Sequence, residues 1–316
     1  MWQQPENLSK LKNRPPENPF NLLQKYFPDI QKKTVVFGIL NITPDSFSDG
    51  GKFLQPEKAL SQAKELINDG ADALDVGAES TRPGALAISS NKEWLRLQPV
   101  LEEILNGFSK GNLRRTVLSV DTRNSIVAYK ALSLGVDLIN DVSGGFYDPE
   151  MLPLIAEKGC PYILMHMRGN PQNMKEQCDY GKFFIKTLRQ EILQRLEKSF
   201  ANGVNPLQII VDPGIGFAKT AFQSMEILLQ LSQIRSLGYP LLIGPSRKSF
   251  LGLLHPKGLP SKFSQESLDL HTLAALTCGI LNGAEMVRIH NVGGLFSSIR
   301  WVDRMREHER SKPINS

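Results

Sequence analysis

Acidic, amide and basic side chains recur in this 316-residue chain directly after short hydrophobic runs. In chain order they are Asn41, Asp75, Asp121, Asn140 with Asp141, His166, Asp212, Ser246 with Lys248, and Arg288 with His290. A carboxylate accepts two parallel hydrogen bonds from a flat heterocycle with adjacent N–H donors, and clustered basic groups bind phosphate. The set therefore predicts a site for a ligand that combines a donor-rich ring with an anionic, phosphorylated part.

Each of these residues, taken alone, also has a purely structural interpretation. Asp121 and Asp141 stand where they could cap the helices that follow them. Asp75 and Asp212 end strands that should be buried, so each needs a donor-rich ligand or a nearby cation, and a structural salt bridge would serve equally. His166, between two methionines, fits a packing role as well as a catalytic one. The site prediction depends on these groups meeting in one place.

The hydrophobic runs alternate with longer segments of helical period from Thr34 onward, which is typical of βαβ units and a parallel sheet. One predicted helix begins at Pro56 and stops at Gly70. Another carries apolar residues from 185 to 200, and a third runs from about 221 to 238. The predicted strands are 34–40, 73–76, 117–120, 138–140, 162–165, 209–211, 241–243 and 286–289.

Eight strand–helix units suit a closed (β/α)8 barrel, whose usual size is about 250 residues. A barrel gathers all its strand ends around one mouth, whereas a doubly wound open sheet, the alternative fold, binds ligands at a switch point. Polar residues follow every predicted strand, and the phosphate-binding motifs GxGxxG and GxxxxGK[ST] are absent. We therefore predict an α/β protein with a single (β/α)8 TIM barrel over residues 34–316.

Residues 1–33 differ from the rest, because five prolines stand among polar neighbours. We interpret this irregular extension as a tail or linker that lacks a continuous apolar face, and a preceding domain in a longer protein would also explain it. The extension holds six basic and three acidic residues, and residues 300–316 hold five and three. These segments contribute +3 and +2, which together equal the net charge of +5 and leave the barrel neutral.

The neutral barrel argues against a nucleic-acid partner, since such proteins gather basic residues on a folded face. Its longest apolar runs fall short of the roughly 20 residues that a membrane span needs, and no secretory leader is recognisable. Cys160, Cys178 and Cys278 are widely spaced, which predicts neither disulfides nor a zinc site. We expect a cytoplasmic protein that acts on small molecules, without nucleic-acid or membrane partners.

Seven motifs closely resemble, in order, the signatures of the dihydropteroate synthase family. They are GILNITPDSFSDGG at 38–51, ESTRPGA at 79–85, SVDT at 119–122, IND at 139–141, DPGIGF at 212–217, SRKS at 246–249 and RIHNV at 288–292. The resemblance implies a pterin-binding barrel that condenses 6-hydroxymethyl-7,8-dihydropterin pyrophosphate with para-aminobenzoate to give 7,8-dihydropteroate and pyrophosphate. It further implies a Mg²⁺ cofactor, a homodimer, competition by sulfonamides, and fusion to or pairing with the preceding kinase of folate biosynthesis.

The resemblance also assigns roles to matching positions of this sequence. Pterin binding falls to Asp121, Asn140, Met165, Asp212, Lys248 and Arg288. Pyrophosphate binding falls to Asn41, Thr81, Arg82, Arg288 and His290, with Asn41 beside Mg²⁺. The para-aminobenzoate pocket comprises Phe47, Pro83, Phe217, Lys248 and Ser249, and the catalytic set is Asn41, Arg82, Lys248, Arg288 and His290. Segments 43–51 and 79–84 resemble two mobile loops, with a hinge expected at Gly50 and Gly51.

In this family the pterin CH2–O bond breaks before the amine attacks, so the site must stabilise a leaving group more than supply a general base. Three residues depart from the usual family wording, because Ala78 and Ala218 stand for glycines and Asn291 stands for an aspartate. An added methyl matters where φ is positive, and Asn291 would weaken any hydrogen bond that orients His290.

Two other functions stay open at this point. A methyltransferase barrel that uses a reduced folate can share the pterin pocket, but it needs neither the first loop nor SRKS. A non-catalytic pterin-binding homologue would be favoured if Asn41, Arg82 or Lys248 were missing, and all three are present.

Overall fold

The computed structural model describes residues 15–42, 56–253 and 264–311. Within those ranges, eight parallel strands form one sheet in the order β6-β5-β4-β3-β2-β1-β8-β7. Their bounds are β1 Val35–Asn41, β2 Ala73–Gly77, β3 Val117–Asp121, β4 Leu138–Asp141, β5 Tyr162–Met165, β6 Ile209–Asp212, β7 Leu242–Ile243 and β8 Met286–Ile289. A parallel bridge from Val211 of β6 to Leu241, just before β7, joins the two edges. The predicted (β/α)8 barrel is confirmed, with strand ends within one residue of their predicted places.

Helices follow the strands around the outside of the barrel. They are α1 Pro56–Asn68, α2 Ser90–Ser109, α3 Ser125–Leu134, α4 Met151–Lys158, α5 Phe184–Ala201, α6 Ala221–Leu229, α7 Leu231–Arg235, α8 Phe250–Leu253, α9 Gln265–Leu281 and α10 Val292–Ser311. Side-chain caps fix several starts: Ser89 accepts from the Lys92 N–H, and Thr220 forms a capping box with Gln223. The helix predicted over 221–238 divides at Gln230 into α6 and α7.

The interior separates into layers that follow from the alternation of strand side chains. One large cluster packs the outer faces of the strands against the helices, as Leu74, Leu118 and Ile192 illustrate. A second fills the lower half of the barrel, and a third, near the strand ends, contains Met165 and Phe217. No described helix is long and apolar enough to cross a membrane.

The N-terminal extension does more than the sequence predicted. Its side chains Phe20, Leu23, Phe27 and Ile30 are buried against Phe37 and other inward residues at the lower ends of the strands. The expectation that the segment has no continuous apolar face is therefore wrong for residues 15–33, because the short 3-10 helix Leu23–Lys25 and the turns on both sides of it bring together four apolar residues spaced three or four apart. The segment closes the end of the barrel away from the polar residues.

A cavity of about 420 Å³ lies between this segment and the start of β3. Its charged lining includes two ion pairs: Lys33 lies 3.3 Å from Asp72, and Arg115 lies 2.6 Å from Asp137.

The strand register puts the polar ends at one level. Asn41 pairs with Gly77, Gly77 with Asp121, and Asp121 with Asn140. On the other side of β5, Met165 pairs with Asp212. The C-terminal ends of the strands therefore form a single ring of functional side chains, as a barrel requires.

Candidate functional site

Arg288 of β8 is the central cation of this ring. Its Nε donates to Asp75 Oδ2 at 2.5 Å, and its Nη2 donates to Asp121 Oδ2 at 2.9 Å. Asp75, which is fully buried, also accepts from Ser119 Oγ at 2.5 Å and Asn140 Nδ2 at 2.9 Å. The salt-bridge interpretation of Asp75 is thereby confirmed. Asp75 fixes both Arg288 and Asn140 from below, a role that the sequence prediction did not assign to it.

Asp121 and Asp212 keep carboxylate oxygens at the ring in a buried setting. Burial raises the pKa of Asp121 to about 7, although the neighbouring Arg288 guanidinium opposes the rise. Burial also raises the pKa of Asp212, against the opposing charge of Lys248. Asp212 Oδ1 accepts from the Gly214 N–H at 2.7 Å. A ligand that donates N–H groups to both carboxylates would favour their ionised forms and so be bound most tightly by them.

Lys248 lies between two of the predicted subsites. Its ammonium donates to the Ile215 carbonyl and lies 4.3 Å from the centre of the Phe217 ring. Burial lowers the pKa of Lys248 to about 8, while the Asp212 carboxylate opposes that change. A side chain at Gly216 would approach Lys248 Cδ to 3.1 Å, so this glycine leaves the lysine its path. Lys248 thus joins the acidic pocket to the aromatic one.

His290 is a neutral imidazole here, where the sequence analysis counted it with the cations. Its ring nitrogen Nδ1 lies 3.0 Å from Ser246 Oγ, and the same oxygen accepts from the backbone N–H of His290 at 3.2 Å. Burial, together with the charges of Arg288, Arg247 and Arg82, lowers the pKa of His290 to about 3. Arg82 itself is exposed. An anion bound here would counter these positive charges.

The loop that carries Thr81, Arg82 and Pro83 is anchored at its base. Arg123, two residues after Asp121, donates through Nε and Nη2 to the two oxygens of Glu79 at 3.0 and 2.9 Å. Both side chains are under 10% exposed, and the Arg123 guanidinium lies 4.0 Å from the centre of the Tyr147 ring. The Gly84 N–H donates to the Pro171 carbonyl at 2.8 Å. Thr81 is half-buried, whereas Arg82 and Pro83 are exposed towards solvent.

Asn41 stands at the end of β1, half-buried, opposite Gly77. A side chain at Gly77 would lie 3.8 Å from Asn41 Oδ1 and 3.4 Å from Asp121 Cβ, so the glycine keeps space between them. Among the described residues, no three His, Cys, Asp or Glu side chains form a metal cluster. Because Mg²⁺ binds through one or two protein oxygens, substrate phosphates and water, a single amide oxygen fits that ion.

The structure brings several members of the predicted set close together at the strand ends. Met165 and Asn140 are buried, and Phe217 is 9% exposed in the same cluster as Met165. Ser249 is exposed just before α8. Phe47, the 43–51 loop and its glycine pair lie outside the described residues.

The family departures have clear structural outcomes. Ala218 has φ 48°, the left-handed conformation in which glycine is favoured, whereas Ala78 is buried and is not among the residues with positive φ. Asn291 accepts from the Gly294 N–H at 2.9 Å and donates to Asp269 at 2.8 Å. The neighbour of the His290 ring nitrogen Nδ1 is Ser246 Oγ, at 3.0 Å.

His166 has the packing role that the sequence analysis left open. It is fully buried, and its ring nitrogens lie 2.7 Å from Glu191 Oε2 and 3.1 Å from Lys219 Nζ. Neither Glu191 nor Lys219 was predicted from the sequence as a partner of His166. A lysine two residues after DPGIGF was the available signal, but nothing in its spacing showed that it points inward.

Comparison with known proteins gives a consistent result. A family model described as "Pterin binding enzyme" matches residues 37–290. The dihydropteroate synthase of Synechocystis sp. is 40% identical over 294 residues, which cover 90% of this chain and 97% of that protein. The dihydropteroate synthase of Bacillus subtilis is 38% identical, covering 87% and 90%. Two folate synthesis bifunctional proteins of Arabidopsis thaliana are 42% identical, and the match spans only 52% and 58% of their length.

Solved structures agree with these sequence relatives. A Clostridium difficile dihydropteroate synthase crystallised with pteroic acid superposes with a TM-score of 0.77 at 34% identity, covering 87% of this chain and 97% of that one. The Yersinia pestis enzyme with a sulfonamide drug gives 0.78 at 33%, covering 88% and 96%. A Plasmodium falciparum HPPK-DHPS mutant with pteroate gives 0.78 at 30%, covering 90% of this chain and 50% of that chain.

Proposed function

We propose that this chain, which belongs to the dihydropteroate synthase family of pterin-binding enzymes, joins 6-hydroxymethyl-7,8-dihydropterin pyrophosphate to para-aminobenzoate. The products are 7,8-dihydropteroate and pyrophosphate. The observation that carries the proposal is the meeting of Asp121, Asp212 and Arg288 at one mouth of the barrel, where the carboxylates of Asp121 and the buried Asp212 lie near a guanidinium that Asp75 also holds.

The pterin ring occupies the acidic pocket. Asp121 and Asp212 accept hydrogen bonds from its N–H edge, and Asn140, held by Asp75, offers an amide to the same edge. Met165 below and Arg288 above enclose the ring faces, since a guanidinium stacks on a flat π-system. Two ionised carboxylates at the ring also favour the positive charge that develops on the pterin methylene when its C–O bond breaks.

The pyrophosphate group lies towards Asn41, Thr81, Arg82, Arg288 and His290. Arg288 and Arg82 supply positive charge, and neutral His290 can donate one N–H because Ser246 satisfies its other nitrogen. A Mg²⁺ ion held by the Asn41 amide oxygen would supply further charge neutralisation of the leaving group. Arg123 keeps the base of the Arg82 loop in place through Glu79, so the loop tip can close over the leaving group while its base stays fixed.

The para-aminobenzoate subsite adjoins Lys248. The ammonium beside the Phe217 ring offers charge to a carboxylate, while the ring offers an apolar face to the benzene. Pro83, Ser249 and Phe47 complete this subsite in the proposal. An aromatic amine is nucleophilic without a general base, so positioning of the amine against the methylene is the main task of these residues.

We place the active enzyme in a cytoplasmic homodimer. The cysteines at 160, 178 and 278 are all free, which suits a reducing compartment.

A homodimer would cover an apolar surface. Large apolar side chains on α6, α9 and α10 are exposed, namely Phe222, Leu229, Leu270, Leu281 and Trp301. Because α9 packs against both α6 and α10, these side chains belong to one side of the barrel. A preceding kinase, on the same or a separate chain, would supply the pterin pyrophosphate.

The proposed reaction is tested by turnover. Purified protein is mixed with Mg²⁺, pterin pyrophosphate and para-aminobenzoate, and dihydropteroate and pyrophosphate are quantified. Equal amounts of both products are expected, and no dihydropteroate should form when para-aminobenzoate is omitted. If the protein binds a plain pterin but forms no product, the non-catalytic homologue replaces the synthase. Methyl transfer from a methylated reduced folate, without formation of dihydropteroate, would favour the methyltransferase function.

A further inference from the structure

Lys219 is a buried lysine that the proposed reaction does not use. Its side chain follows the DPGIGF motif and is 8% exposed. Its Nζ donates to the Phe217 carbonyl at 2.9 Å and to the His166 carbonyl at 3.4 Å, and it lies 3.1 Å from His166 Nδ1. Burial lowers the pKa of this amine well below its usual value. All three partners are protein atoms, so this lysine spends its hydrogen-bonding capacity on holding two neighbouring segments together.

The acceptor on His166 is itself oriented from behind. His166 Nε2 lies 2.7 Å from Glu191 Oε2 of α5, and a carboxylate oxygen requires the proton to be on that nitrogen. Nδ1 is then the unprotonated nitrogen that can accept from Lys219. Burial and the charge of Lys219 lower the pKa of His166 to about 3, which agrees with a neutral ring. Arg168 Nε donates to both oxygens of Glu191 and completes the chain.

The backbone to which Lys219 is hydrogen-bonded contains several residues with positive φ. We define the DPGIGF turn as residues 212–219, in which Gly214, Gly216 and Ala218 have φ of 69°, 78° and 48°. Glycine adopts such angles freely, whereas alanine resists them because of its Cβ. A side chain at Gly214 would meet the His166 carbonyl at 1.9 Å, so the turn lies directly on the end of β5. A tether from Lys219 to His166 opposes relaxation of this turn.

The same turn carries a wall of the aminobenzoate subsite. Phe217 gives its carbonyl to Lys219 and its ring to the pocket, where Lys248 lies 4.3 Å from the ring centre. The position of the ring therefore follows the position of the carbonyl one short backbone unit away. A change at Lys219 would move Phe217 without removing any group that touches substrate.

From these contacts we infer that Lys219 is a positioning residue for para-aminobenzoate: the hydrogen bonds of its Nζ tie the strained DPGIGF turn to His166 and thereby set the place of the Phe217 ring. The inference rests on the proposed function and deepens it by adding a specificity-determining residue behind the pocket. His166 and Glu191 belong to the same device, because they present the acceptor that Lys219 needs.

Pterin binding depends much less on this staple. Asp212 ends β6, and its carboxylate accepts from the Gly214 N–H at 2.7 Å. Asn140 and Arg288 are held by Asp75 on the opposite side of the barrel mouth, and Asp121 accepts from Arg288. A lost staple should consequently affect the two substrates unequally.

The experiment compares Lys219→Met with Lys198→Met. Lys198 is a matched control because its ammonium also donates to a loop carbonyl, that of Gly145 at 2.8 Å, but away from the subsite. Lys219→Met is expected to raise the KM for para-aminobenzoate by about tenfold or more, while the Kd of a plain pterin stays within about threefold. Lys198→Met should change neither. A KM within about twofold of wild type, or equal rises in KM and Kd, would overturn the inference.

A double variant keeps the test decisive if Lys219→Met lowers the yield of folded protein. Ala218→Gly removes the cost of the left-handed angle, so the turn should need the staple less. The Ala218→Gly/Lys219→Met protein is expected to recover at least about half of the KM loss on a logarithmic scale. No recovery would contradict the link between strain and staple. Absence of turnover in the wild-type protein would instead refute the proposed function, so the two failures are distinguishable.

Discussion

Replacement of Asp75 by asparagine tests how the barrel holds its central arginine. The change keeps the shape of the side chain and removes only its charge. Ser119 can rotate its hydroxyl to accept from the new amide, and the remaining oxygen can still accept from Asn140 and Arg288. Asp75→Asn therefore isolates the contribution of one buried negative charge.

The expected loss of stability follows from burial and from the partner that remains. Asp75 is fully buried and the Arg288 side chain is 21% exposed, so removal of this charge leaves a largely buried cation. Breaking a buried pair costs about 3 to 5 kcal/mol. Because Arg288 keeps Asp121 at 2.9 Å, we expect the lower end, about 3 kcal/mol in the free energy of unfolding.

The same variant should also change the pH dependence of pterin binding. Burial raises the pKa of Asp121 to about 7, and the negative charge of Asp75 contributes to that rise. A pterin N–H binds the ionised carboxylate, so wild-type affinity should increase as pH rises through about 7 and level off above it. In Asp75→Asn the midpoint should move to lower pH, since one repulsive charge is gone.

Two measurements on the same protein check these expectations. Urea denaturation gives the free energy of unfolding, and calorimetry from pH 5.5 to 8.5, a range chosen as about 1.5 units on each side of the Asp121 pKa, gives pterin affinity. Glu307→Gln is the control, because its pair with Arg304 is exposed and should contribute about 0 to 1 kcal/mol. A loss below about 1 kcal/mol for Asp75→Asn, or an unmoved midpoint, would refute the electrostatic reasoning.

Three further predictions concern the pocket, the loop and the turn. Asp212→Asn should weaken binding of a plain pterin by about 1.5 to 3 kcal/mol, as measured by calorimetry. Arg82→Ala should reduce the initial rate of turnover and leave pterin binding nearly intact. Equal effects of the two changes on binding and on rate would argue against separate subsites. Arg123→Lys cannot keep the two-point contact with Glu79, so turnover should fall about tenfold with pterin affinity unchanged, and a normal rate would show that the contact is dispensable. Ala218→Gly should raise the free energy of unfolding, measured by urea denaturation, by about 1 kcal/mol, because glycine adopts the positive φ without strain. An unchanged free energy of unfolding would show that Ala218 is not strained.

The barrel itself was predictable because its strands are short, apolar and followed by polar residues. Buried parallel strands such as β5 and β6 leave a continuous hydrophobic signal, and closure puts every strand end at one mouth. The residues at those ends, such as Asp121, Asp212 and Arg288, could therefore be chosen before any coordinates were known. Their grouping depends only on strand order and register.

Contacts that join distant segments were beyond the sequence. Asp75 reaches Arg288 across 213 positions, and Lys219 reaches His166 across 53. Neither pairing has a local spacing that would reveal it. The packing of the N-terminal segment was missed for a related reason. Phe20, Leu23 and Phe27 are buried against the lower end of the barrel, and that surface exists only after the strands have assembled.

A crystal structure of this chain with a bound pterin tests the central claim most directly. We expect the N–H edge of the ring to lie within about 3 Å of carboxylate oxygens of Asp121 and Asp212, the usual distance for such hydrogen bonds. Met165 and Arg288 should lie on opposite faces of the ring. A pterin bound elsewhere, or one whose N–H edge faces away from both carboxylates, would contradict the assignment of this mouth as the pterin site.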